Sequence, residues 1–153
     1  MPPLFTIGYE GTTFPRVRDA LLSAGAGLLM DVRALPASRK PGFSKRLLAA
    51  GLAEAGIEYL HLQPLGTPKP GRDAVRRGDV AAMHRIFHAH MEGDRPRAAL
   101  AQAVAAARER PVCLLCFERD HRACHRAVLA SSIAGQTGQA VVHLRAEAAE
   151  PGR

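Results

Sequence analysis

The 153-residue chain predicts a single α/β domain: a mostly parallel sheet of about five strands flanked by helices, in a Rossmann-like three-layer arrangement. Three observations carry this expectation. Short apolar runs alternate with segments of helical periodicity, the pattern of a parallel sheet covered by helices on both faces. The run from Val112 to Phe117 is apolar throughout, as a strand buried on both sides requires. Glycine and proline stand at the junctions, where helices start and stop.

Taken in order, Leu4 to Gly8 reads as the first strand, followed by the loop Tyr9 to Thr13. Phe14 and Pro15 open a helix that places Val17, Leu21 and Leu22 on one face, and Gly25 and Gly27 end it. Leu28 to Val32 is the second strand and delivers Asp31 and Arg33 to its end. The loop Ala34 to Ser44 holds Pro36, Pro41 and Gly42 and is expected to be irregular. Ser44 is placed to cap a helix through Leu47, Leu48 and Leu52 to about Ala55, and Ile57 to Leu62 follows as the third strand.

Gln63 to Gly78 contains three prolines and three glycines and reads as a functional flap or mobile loop. Asp79 caps a helix through Met83 and Phe87 that Gly93 ends, and Pro96 starts an alanine-rich helix to about Arg110. The strand Val112 to Phe117 comes next. A charged loop and a helix follow, with Asp120 placed to cap that helix and Gly135 to end it. Ala140 to Leu144 is the last strand. One domain is expected over residues 1–145, with a frayed tail at 146–153.

Composition narrows the function classes. With 47% hydrophobic residues the chain can bury a core. No apolar run approaches the roughly 20 residues of a membrane span, and the N-terminus lacks the pattern of a secretory signal. A cytoplasmic protein without membrane contact is expected. Three cysteines in such a chain argue against a disulfide framework and for core, catalytic or metal-binding roles. A formal net charge of +7 favours anionic partners: a small anionic molecule, a nucleotide or nucleic acid. With 5% aromatic residues, a stacking platform for single strands is poorly supplied. No glycine-rich phosphate loop of known spacing is present.

The chemistry is expected where the strand Val112 to Phe117 meets the next helix, the usual ligand position of an open α/β sheet. Cys116 stands at the strand end, and Glu118, Cys124, His125 and Arg126 follow within ten residues. A helix start and flanking arginines favour a thiolate at Cys124. Side chains alternate along a strand, so Cys113 faces away from Cys116 and is assigned to the core. The spacing from Cys116 to Arg122 matches a phosphatase loop. However, that stretch has no glycine, and Glu118 and Asp120 repel phosphate. Cys113, Cys116, Cys124 and His125 offer four zinc-type donors. Against zinc, Cys113 would have to leave its strand, and neighbours on a helix point about 100° apart; no metal ligand is assigned. His84 and His88 share a helix spacing with His90 beyond, and read as a solvated face. His61 lies near the third strand's end as a site candidate. Arg33, Arg39, Lys40, Lys45 and Arg46 form a basic cluster suited to phosphate or carboxylate.

In order along the chain, Thr6 to Glu10, Asp31-Val32-Arg33 with Pro36, Ser38 and Arg39, Tyr59 and His61 before Leu65-Gly66, and Leu115 to Glu118 with Cys124-His125-Arg126 resemble the domain of unknown function 488 family. The resemblance covers nearly the whole chain. It implies a compact α/β domain and marks these positions as a signature, but implies no reaction. Thr67 stands where the family usually has a second glycine.

The expectation is an enzyme acting on an anionic substrate, with Cys116, Glu118, Cys124 and His125 as reacting groups. Tyr9, Glu10, Asp31, Arg33, Ser38, Arg39, His61, Gly66 and Arg126 would bind the substrate, and the cofactor is left open. The alternatives are a nucleic-acid-binding module and a zinc-stabilised interaction domain.

Overall fold

The computed structural model describes residues 1–146. Five parallel strands form one sheet in the order β3-β2-β4-β1-β5. They are β1 (Leu4–Gly8), β2 (Leu28–Asp31), β3 (Glu58–His61), β4 (Val112–Cys116) and β5 (Val141–His143). Helices α1 (Phe14–Ala24) and α2 (Lys45–Glu54) cover one face, and α3 (Lys69–Arg76), α4 (Val80–His90), α5 (Asp94–Glu109) and α6 (Arg126–Thr137) lie on the other.

The two-residue alternation of the strands divides the core. Leu4, Met30, Val112 and Leu114 pack with Met83, Phe87, Ala103, Leu129 and Ile133. Phe5, Ile7, Leu29, Cys113 and Leu115 pack with Val17, Leu21, Leu48 and Leu52. Cys113 is therefore a core residue, and burial pushes its thiol up.

The topology positions the site. The chain leaves β1 and β2 toward α1 and α2, but leaves β4, which lies between them, toward α6. Right-handed crossovers running in opposite directions from adjacent strands open a crevice at their C-terminal ends. The register sets Gly8 beside Cys116 and Asp31 beside Leu115, so three strand ends arrive together. Gly8 lies hard against the chain after β4: a Cβ there would stand 1.9 Å from the Glu118 carbonyl oxygen.

Several boundaries differ from expectation. The stretch read as a flap holds a 3₁₀ turn, Gln63–Leu65, and α3. Its prolines start the helix rather than break it: Pro68 is the N-cap and Pro70 falls in the first turn, where no N–H is required. Gly71 lets α3 seat on Thr67, since a Cβ would meet its methyl at 2.4 Å. Asp120 caps a 3₁₀ turn at His121–Ala123, accepting from the Arg122 N–H, while α6 begins only at Arg126. That helix runs past Gly135 to Gly138, which takes the left-handed conformation at φ 80°. Ser44 occupies the N-cap position of α2, but its hydroxyl bonds Ser38 instead. Asp79 caps α4 as expected, through the Ala82 N–H. Gly93 is the N-cap of α5, which begins two residues before Pro96. Most of the tail expected at 146–153 lies outside the described residues. Among the described residues, no helix is long and apolar enough to cross a membrane.

Candidate functional site

A cleft of about 510 Å³ opens at the C-terminal ends of β1, β2 and β4. Its walls bring together Tyr9, Glu10, Arg33, Ser38, Cys116, Glu118, Cys124 and His125, eight of the residues expected from the sequence. Asp31, His61, Gly66 and Arg126 stand behind these walls, and Arg39 is exposed away from them. Thr67, Arg72 and Arg76 are further polar residues of the lining and were missed, because they lie in the stretch read as a loop. The proline pair ahead of two arginines four apart was the signal of a helix presenting both on one face.

The β2 side of the cleft is a closed hydrogen-bond network. Arg33 makes a forked pair with Asp31, its Nε donating to Oδ1 at 2.9 Å and its Nη2 to Oδ2 at 2.7 Å. Its Nη1 donates to the Tyr9 hydroxyl at 3.0 Å and to the Phe43 carbonyl at 2.8 Å. Burial alone would lower the Arg33 pKa; the bond and charge of Asp31 raise it instead. Tyr59 donates to the second oxygen of Asp31 at 2.5 Å, and burial followed by Asp31 raises that phenol too. His61 Nε2 donates to the Arg33 carbonyl at 2.8 Å. Tyr9 stacks on Phe43 with ring centres 4.3 Å apart. Arg33 thus forms the wall and Asp31 and His61 hold it from behind, with their polar atoms turned to it. Gly66 serves packing, since a Cβ would come within 2.2 Å of the Ala34 nitrogen.

The β4 side is built differently. The 3₁₀ turn folds the chain back so that Cys124 lies over the end of β4, and the structure joins Cys116 and Cys124 as a disulfide across a Cα separation of 7.4 Å. The expectation of no disulfide framework is corrected at this one pair, while Cys113 is free. The reason is tertiary: the turn brings together two sulfurs that lie eight residues apart in the chain. Cys124 is extended and His125 is the N-cap of α6, so the two are not neighbours on a helix, and the angular objection to their converging falls away.

Arg126, buried to 1% exposure, anchors this corner. Its Nη1 donates to Cys116 Sγ at 2.9 Å and to the Glu118 carbonyl. Its Nε donates to Thr6 Oγ1 at 3.1 Å and its Nη2 to the Arg119 carbonyl at 3.0 Å. Among the described residues it forms no ion pair with a carboxylate. Burial lowers its pKa, and Glu118 opposes the shift. The Glu118 carboxyl is raised, by burial first and by Glu10 as well. His125 Nε2 lies 2.7 Å from the Val32 carbonyl, an acceptor only, which assigns the ring proton to Nε2. Its Nδ1 faces Cys124 Sγ at 3.5 Å. Burial lowers His125 to about 4 against the opposing Val32 bond, so the ring is neutral at neutral pH.

The fold and this corner define a doubly wound α/β protein with a cysteine, carboxylate and histidine cluster at its switch point. The chain belongs to the family described as domain of unknown function DUF488, whose model matches residues 13–133. No curated protein and no solved structure matches the chain. The match begins after β1, so Gly8, Tyr9 and Glu10 lie outside it, whereas Cys116, Glu118, Cys124, His125 and Arg126 lie inside.

Proposed function

We propose that the protein is an enzyme that binds a small anion in the cleft and transforms it at the Cys116, Glu118, Cys124 and His125 cluster. The observation that carries this reading is convergence. Ionisable and sulfur groups from three strand ends and from α3 line one concave site, where a nucleic-acid surface would spread its cations over one face.

The anion-binding groups in this reading are Arg72 and Arg76, each bonded among the described residues through Nη1 alone, to the Thr67 carbonyl and to Asp73. They stand in place of Arg33 and Arg126, whose three guanidinium nitrogens all have partners inside the protein. Arg72 Nε is buried in the cleft wall without a hydrogen-bond partner. An unmet buried N–H costs free energy until a ligand supplies an acceptor. An anion lying between Arg72 and the cluster would be held at one end by a guanidinium fork and offered to the sulfurs at the other.

The test is calorimetric titration of inorganic phosphate and of a nucleoside monophosphate into the full chain at low salt. Binding should weaken about tenfold or more in Arg72→Ala, while Lys45→Ala, outside the cleft, leaves it unchanged. Equal weakening by both variants, or no binding of either probe, would contradict an anion site in this cleft.

A further inference from the structure

The cluster on the cleft floor gathers three ligand atoms that reduction of the Cys116–Cys124 bond would leave free to bind a cation. Cys116 Sγ, a Glu118 carboxylate oxygen and Cys124 Sγ all lie within 4.8 Å of one another. Once a thiol or phosphine reductant has opened the Cys116–Cys124 bond by two electrons, two thiolates and the carboxylate carry three negative charges, and among the described residues the guanidinium bonded to the set is that of Arg126. A divalent cation brings the sum to zero. Burial makes that balance matter, because unpaired charge is costly where water is excluded.

The backbone geometry fits such an ion. The Cα atoms of Cys116 and Cys124 are 7.4 Å apart. Disulfides usually hold them at roughly 4.4–6.8 Å. Two sulfurs that each bind a shared ion at about 2.3 Å stand farther apart than bonded sulfurs do and suit the wider spacing. Each sulfur also has an N–H donor, as metal-bound thiolates do. Arg126 Nη1 donates to Cys116, and the Arg126 backbone N–H approaches Cys124 at 3.5 Å. His125 completes the pattern. Its Nε2 proton is held by the Val32 carbonyl, so its Nδ1 lone pair faces the Cys124 sulfur.

We propose that Cys116, Glu118 and Cys124 hold a thiophilic divalent ion of the zinc type, whose fourth position opens to the cleft beside His125 Nδ1. Soft thiolates with one carboxylate select such an ion over magnesium or calcium. This inference deepens the function proposed above: the ion would be the group that meets the substrate anion. Binding to the reduced pair displaces the thiol protons.

The experiment is titration of cobalt(II) into the full chain, reduced with a phosphine and freed of metal by a chelator. Thiolate ligation gives a near-ultraviolet sulfur-to-cobalt charge-transfer absorption, which zinc should then abolish by displacement. The absorption is expected in the unaltered protein and in Cys113→Ser, and should be lost in Cys124→Ser. Glu118→Gln, a change at the cleft that leaves both sulfurs in place, should weaken cobalt binding about tenfold or more. Absence of the absorption in folded, unaltered protein would overturn the site. So would an undiminished absorption in Cys124→Ser or unchanged affinity in Glu118→Gln. Phosphate titrations with and without zinc separate the two proposals. Cobalt ligation without any phosphate binding removes the anion enzyme and keeps the metal; phosphate binding without cobalt ligation does the reverse.

Discussion

Two almost fully buried arginines, Arg33 in one wall of the cleft and Arg126 behind the other, are neutralised in different ways. Arg33 has a full carboxylate partner in Asp31, bonded through both oxygens, with Tyr9 and the Phe43 carbonyl taking its remaining contacts. Arg126 is surrounded by neutral acceptors: a hydroxyl, two carbonyls and the sulfur of Cys116. A closed ion pair has no need of a ligand and fixes the shape of the wall. A buried cation without a carboxylate favours negative charge on whatever it touches, and here it touches Cys116. The difference separates the part of the signature that builds the cleft from the part on which the proposed chemistry rests.

The largest expected effect lies on the Arg33 side. Asp31→Asn leaves that guanidinium buried and unpaired, and should cost about 3–5 kcal/mol in denaturant unfolding. A loss below 1 kcal/mol would mean that Tyr9 and the Phe43 carbonyl suffice, and the contrast between the two arginines would collapse.

Gly8→Ala sharpens the Arg126 side. The added methyl meets the Glu118 carbonyl, a backbone atom that cannot turn aside, and overpacking of this kind costs about 1–3 kcal/mol. The displaced loop carries Glu118 and one of Arg126's acceptors, so alkylation at Cys116 should change as well. A stable variant with unaltered Cys116 reactivity would show that this approach does not position the sulfur.

The smallest effect is a pH dependence. Burial lowers His125 to about 4, and lowers His143 to about 4, with His121 and Arg126 adding to the second shift. Unfolded, each titrates near 6.5. A lowered histidine favours the neutral folded form, so its contribution is complete above pH 6.5 and declines as pH falls toward 4. Thermal melts should therefore show Tm dropping between pH 6.5 and 4, with a shallower drop in His143→Asn. An unchanged slope in that variant would remove His143 from the account.

Much of the fold could be read from the residues. The apolar run of β4 and the glycine and proline punctuation specified strands and helices, because those signals are local. The failures are instructive for the same reason. Pro68 and Pro70 look like breakers in isolation, yet they start α3, and a glycine is needed at Gly71 because Thr67 lies beneath it. Gly135 and Gly138 are equivalent by composition, and the turn into β5 decides which one ends α6. In the site, the strand-end position of Cys116 and its nearness to Glu118, Cys124 and His125 were legible. The roles of the arginines were not. Whether a guanidinium binds a ligand or a neighbour depends on contacts such as Arg126 with Thr6, 120 residues apart, which no local spacing encodes.

The most direct measurement is the pH dependence of alkylation at Cys116, followed by mass spectrometry on reduced, metal-free protein, with and without Arg126→Met. Free cysteine reacts with a midpoint near 8.5. If Arg126 holds Cys116 as a thiolate, the midpoint falls well below that value in the unaltered protein and rises in the variant. A midpoint at or above 8.5 in both would contradict the claim that the buried arginine marks the reacting sulfur.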